Sequence, residues 1–239
     1  GIAPPAPPAP EAVTAEDIGS FEEIVVSAKR AGLSAAAPVA RMVAEQEDLG
    51  DLKLYRIPEP VTVAAQSRKQ VAMIDRRGVR FTRIYAGSFA PFDHDPDDEP
   101  RSQAAIRTLR TDNLDRQGLG LPLPAGAVAV FEEAGDASLL VGESRLADRA
   151  IGDEVEIETG ESTDVRYTLV ARPRSAKRQP FTASVTNARA TPETFELAIP
   201  YKLASSSAEL IERKGRKTWR VTVPANGEAK LDFALRLER

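Results

Sequence analysis

One histidine and no cysteine leave this chain of 239 residues few groups for catalysis or metal binding. His94 stands within Phe92-Asp93-His94-Asp95-Pro96-Asp97-Asp98-Glu99-Pro100, where hard oxygen ligands crowd together. Asp93, Asp95 and Asp97 have the one-three-five spacing of a calcium loop. Position six, however, is Asp98 where a turning glycine is required, and position twelve is Ala104 where a bidentate glutamate closes such a site. The stretch therefore reads as a solvated acidic loop with no metal ligands assigned, and calcium-dependent stabilisation stands as a subsidiary reading. A Ser-His-Asp triad would have to use His94, and a charged, proline-bearing loop does not hold a base within hydrogen-bond reach of a nucleophile. The missing thiols also remove disulfides, thiolate metal sites and cysteine nucleophiles.

Carboxylates are the remaining chemistry. Glu154, Glu156 and Glu158 alternate with Val155 and Ile157. Glycoside hydrolysis needs two carboxyl groups, one buried enough that its pKa rises, whereas this spacing predicts the solvated face of a strand. A carboxylate-based hydrolase or carbohydrate-active protein at a domain junction is kept as the alternative reading. Gly118-Leu119-Gly120 lacks the third glycine and the following helix of a phosphate loop, so no nucleotide and no cofactor is expected. Tyr201 and Trp219 could stack on a sugar, yet each falls on the apolar face of its segment, which predicts core packing. With 32 basic residues scattered among 36 acidic ones, nucleic acid is not an expected partner.

The elements that would position these groups are strands. Short segments with an apolar side chain at every second position recur from Leu52 onward, and Leu231-Asp232-Phe233-Ala234-Leu235-Arg236-Leu237 keeps the alternation unbroken. The spacing predicts strands over 52–57, 60–65, 104–111, 127–131 and 138–141, and a hairpin of 70–75 with 79–85 across Arg76-Arg77-Gly78. In the last third, Val165, Tyr167 and Leu169 share one face, as do Phe195, Leu197 and Ile199; Trp219, Val221 and Val223 lead through Pro224-Ala225-Asn226-Gly227 into a final hairpin strand. Strands separated by turn signals with no helical period predict an all-β chain of antiparallel β-sandwich architecture. Three parts are expected: an Ala/Pro-rich tail over 1–48, an N-terminal β domain over 49–160 with an acidic loop at 86–102, and an immunoglobulin-like or fibronectin-like sandwich over 161–239. No run approaches the roughly 18 to 20 apolar residues of a membrane-spanning helix, and the strands are too polar at alternate positions for a lipid-facing barrel wall.

Within the tail, Ala3 to Pro10 are all alanine or proline, which favours extended polyproline II geometry, and Pro38 to Gln46 has some helical character. Beyond that tether lies Glu23-Ile24-Val25-Val26-Ser27-Ala28, a β-prone segment suited to adding a strand to a sheet edge of another protein. Glu23, Ile24, Val25 and Val26 are the candidate partner-binding residues. The segment resembles the TonB box of outer-membrane receptors, in which an acidic residue precedes Ile-Val-Val and a small hydroxyl residue.

Three longer stretches carry a second resemblance: Leu52-Lys53-Leu54-Tyr55-Arg56-Ile57-Pro58 with Pro60-Val61-Thr62-Val63; Gly118 to Gly126 with Val130-Phe131, Leu140, Gly142-Glu143 and Gly152-Asp153-Glu154; and Thr186-Asn187 with Trp219 and Pro224-Ala225-Asn226-Gly227-Glu228. Together they resemble a family of uncharacterised bacterial proteins sharing a C-terminal domain of unknown function with the mucoidy-inhibitor proteins. The resemblance implies an exported envelope protein with a β-rich C-terminal region, located in the periplasm or cell envelope. It implies no active site, so no functional residues transfer. The expected function is a non-catalytic envelope module that presents β-sheet surfaces to another envelope protein.

Overall fold

In the computed structural model of the chain, residues 71–237 are described continuously, preceded by 25–27, 44–49, 52–56 and 63. The alternating pattern becomes strands throughout: β1 (Val25–Ser27), β2 (Glu45–Leu49), β3 (Leu52–Arg56), β4 (Thr82–Gly87), β5 (Ser102–Asp112), β6 (Gly126–Ala134), β7 (Ala137–Leu146), β8 (Glu154–Ala171), β9 (Arg178–Asn187), β10 (Glu193–Ile199), β11 (Leu203–Ser206), β12 (Ile211–Arg213), β13 (Arg216–Val223) and β14 (Gly227–Arg236). Among the described residues no helix is long and apolar enough to cross a membrane.

Nine strands form one sheet in the order β11-β14-β9-β8-β5-β4-β10-β13-β12. The pairs are antiparallel except β4 with β10, which is parallel. The sheet folds over on itself, because apolar residues from both ends share one core: Phe181, Val185, Leu231 and Phe233 on one side, Tyr85, Phe195, Leu197 and Trp219 on the other. Phe181 and Phe233 stack at 5.5 Å, Phe89 meets them edge-on at 5.0 and 5.2 Å, and Tyr167 meets Phe195 at 5.6 Å. This is the expected sandwich, with Trp219 in its core and Tyr201 packed against it. A second core of Leu109, Leu119, Val128, Val130, Val155 and Ile157 lies under the smaller sheet β1-β6-β7.

The two cores share strands. β8 runs 18 residues, supplying Val155 and Ile157 to the second core and Val165, Tyr167 and Leu169 to the first. Residue 160, where the sequence suggests a boundary, is a glycine inside β8 with φ of 107°, next to the irregular register of β5 and β8. β4 and β5, which precede that position, belong to the same sheet as the C-terminal strands.

Four local expectations are corrected. Glu45 and Gln46 are strand, paired antiparallel to Arg56 and Tyr55 of β3, and not the end of a helix. Residues 71–81 form no hairpin; Gly78 does turn with φ of 67°, but the strand starts at Thr82 and pairs with β5 and β10. The Asn-Gly corner does not make a hairpin either. Asn226 has the positive φ, 49°, that such a turn requires, yet β13 pairs with β10 and β12 while β14 pairs with β9 and β11, so the corner carries the chain from one side of the sandwich to the other. Glu154 and Glu156 do not lie on a solvated face, as set out below. The Ala/Pro stretch 3–10 and the strand expected over 60–65, apart from Val63, lie outside the described residues.

Candidate functional site

Sheet edges are where this architecture can meet an extended peptide, because an edge strand carries unpaired amides and carbonyls. The nine-stranded sheet ends in β11, of four residues with an irregular register, and β12, of three. Short, irregular edges of this kind offer little to pair with. β6 is different. It is nine residues long, and on the side away from β7 its only partner among the described residues is β1, three residues long. The pairing is antiparallel, with Val25 opposite Phe131, Val26 opposite Val130 and Ser27 opposite Ala129. Val130 and Val128 are buried in the second core. Of the four candidate partner-binding residues, Val25 and Val26 are therefore on an edge of the chain's own sheet, and Glu23 and Ile24 lie outside the described residues.

The ends of β6 differ in charge. Glu132 accepts a bond from Arg107 Nη1 at 3.2 Å, and Arg107 also donates to Thr159 Oγ1 and the Val141 carbonyl, tying β5 and β8 to the smaller sheet. Glu133 is exposed and makes no ion pair among the described residues. The two sheets touch where Gly142 of β7 lies on Thr159, so closely that a Cβ on residue 142 would stand 2.6 Å from Thr159 Cα.

Carboxylates converge on the outer face of the larger sheet. Arg110 of β5 donates from Nη1 and Nη2 to the two oxygens of Glu196 on β10, at 2.9 and 2.7 Å, and from Nε to Glu156 on β8 at 2.8 Å. The side chain crosses β4 to reach Glu196, on the face where Ile84 is buried, whereas Glu156 lies directly beside it on β8. Arg220 donates to Glu196 at 2.6 Å, and Arg213 donates to Glu156 at 2.7 Å and to Glu154. Lys214, held at φ of 50° in the β12–β13 turn, reaches Glu154 at 3.0 Å and also binds Glu156. The side chains of Arg110 and Glu196 are 9% and 5% exposed.

Four cations around three carboxylates set the protonation states. Burial pushes Glu156 up, but hydrogen bonds from Lys214 and Arg110 and the charges of Arg213 and Arg110 outweigh it and hold the carboxyl at about 2. Burial likewise opposes ionisation of Glu196, and Arg110 with Arg220 brings it below the usual carboxylate range. Glu154 is lowered as well, burial being overcome by Arg213 and Lys214. A general acid must keep its proton near neutral pH. These three groups are locked in the opposite state, so the cluster fastens β5, β8, β10 and the β12–β13 hairpin and is poorly suited to protonate a leaving group.

The other motif residues act as pins. Asn113 is fully buried; its amide donates to the carbonyls of Leu121 and Ala150 at 2.7 and 2.8 Å, and its oxygen accepts from Gly120 N and Leu121 N. Gly120, Leu121 and Ala150 thus close on that side chain, while the Asn113 backbone pairs with Gly152 and Asp153. Asn187 does the same at the Pro224 corner, donating to the carbonyls of Thr191 and Pro224. In the acidic loop, Asp98 Oδ2 and Asp95 Oδ1 accept from the amides of Asp95 and Asp97, so these carboxylates serve the loop's own backbone. Among the described residues no three histidine or carboxylate groups gather to hold a metal. His94 and its neighbours line a cavity of about 320 Å³ with Leu169, Val170 and Ala171.

Arg110 and Glu196 were not legible as a pair. Glu196 sits between Phe195 and Leu197 in an alternating strand, a position expected to face water, and 86 residues separate it from Arg110. The fold and these contacts define an all-β sandwich protein whose smaller sheet has two long edges: β6, partly capped by β1, and β7, ten residues long with no strand partner beyond it among the described residues. No family model, no curated protein and no solved structure matches the chain.

Proposed function

We propose that this protein is a non-catalytic binding module of the bacterial cell envelope that presents a β-sheet edge to an extended segment of a partner protein. The observation that carries the reading is the β6 edge, which holds a three-residue strand in antiparallel register while most of its nine residues extend beyond that strand. Strand addition of this kind draws affinity from main-chain bonds and specificity from alternate side chains. The clamped state of Glu154, Glu156 and Glu196 argues against using them for acid catalysis. The envelope setting rests on the family resemblance of the stretches around Leu52, Gly118 and Trp219. A photo-crosslinking amino acid placed at Ala129 or Glu133 in cells tests the reading: adducts to an envelope protein are expected there and not from the exposed Glu158 on β8. Equal labelling from both places, or clean cytoplasmic fractionation, contradicts it.

A further inference from the structure

β1 covers only residues 129–131 of β6. In that register the position two residues before Val25 falls opposite Glu133; the sequence has Glu23 there, and like charges facing each other across a ladder repel. A strand with a basic residue at that place would remove the conflict and could run along the whole edge. Toward the other end of the edge, Val130 and Val128 are buried in the second core, which favours a β-branched apolar side chain on a strand placed opposite Val130.

Building on the edge-binding reading, we propose that Val25–Ser27 is an internal competitor for the β6 edge. The partner it holds off is an extended, antiparallel peptide with Lys or Arg opposite Glu133 and, three residues further on, a β-branched residue opposite Val130. The competitor is tethered, so it acts at a fixed effective concentration independent of protein concentration. Its own contribution is limited to a three-residue ladder. A longer strand that also satisfies Glu133 displaces it.

Fluorescence anisotropy with two labelled peptides spanning residues 20 to 30, one native and one carrying Glu23→Lys, provides the test against the full chain. Val26→Pro removes an amide donor and a ladder-compatible residue from β1, and Ser27→Pro serves as an independent way to unpair it. Either variant should bind the Glu23→Lys peptide about tenfold more tightly than the unaltered chain does, a change of about 1.4 kcal/mol. On the unpaired variants that peptide should bind about two- to fivefold better than the native one, and adding Glu133→Lys should reverse the order. If peptides bind but neither proline substitution alters affinity, the competitor is refuted while edge binding stands. If affinity ignores the charge at residue 133, the partner chemistry is refuted. No binding at millimolar peptide to the unpaired variants overturns both this inference and the edge reading.

Discussion

Arg110→Met should be the most destabilising single change on the outer face, and its pH dependence should reveal why. Methionine keeps an apolar stem on the face where Ile84 is buried but leaves Glu196, 5% exposed, with Arg220 at 2.6 Å and Arg213 at 3.9 Å as its remaining cations. Removing one partner of a buried ion pair costs about 3–5 kcal/mol, and the surviving Arg220 bond places the expected loss near the bottom of that range, about 3 kcal/mol. In a chain of this size that corresponds to a fall in Tm of about 6–12 °C. Chemical unfolding in urea at pH 7 measures it, and Glu196→Met with the double variant completes a cycle whose coupling should reach about 2 kcal/mol. The pairing exists only while Glu196 is ionised. Acidification through its folded-state pKa should therefore shrink the difference between Arg110→Met and the unaltered protein. A loss below 1 kcal/mol, absent coupling, or a difference that grows on acidification would refute the account of the cluster.

Acid should weaken the unaltered protein in a defined window. Glu154, Glu156 and Glu196 all have folded pKa values below the unfolded 4.5, so the unfolded chain binds more protons between the two; their contribution is complete above pH 4.5 and is lost as pH falls toward 2, where Glu156 titrates. For Glu156, 23% exposed, solvent screening reduces this to about 1–2 kcal/mol, and urea midpoints from pH 6 to 2.5 would show it. Asn113→Ala deserts two carbonyls and two amides in a sealed loop and should cost about 2–4 kcal/mol; a loss under 0.5 kcal/mol would mean that water replaces the amide. Gly142→Ala drives a methyl group into the Thr159 backbone and should cost about 1–3 kcal/mol, with faster amide exchange in β6 and β7 than in β9 and β14.

The sequence makes visible what depends on neighbours along the chain. Alternation locates β8, β10 and β14 and assigns Val165, Leu197 and Phe233 to the core, because a two-residue period reports which side of a strand faces inward. It carries no information about which strands are adjacent. The Asn226-Gly227 signal correctly marks a positive φ, but pairing was settled by burial, which sends β13 with Trp219 and β14 with Leu231 to opposite sides of one core. The ionic cluster was hidden for the same reason: Arg110 joins Glu156, 46 positions away on the neighbouring β8, and Glu196, 86 positions away across β4. Val25 and Val26 were legible as a strand in search of an edge, and the edge they occupy is in their own chain.

The most direct measurement is hydrogen exchange across residues 126–134 in the Val26→Pro variant, with and without the Glu23→Lys peptide. The account predicts fast exchange in β6 that slows when peptide is added, with β11 and β12 unchanged. Protection that arises at β11 or β12, or β6 amides indifferent to the peptide, would contradict it.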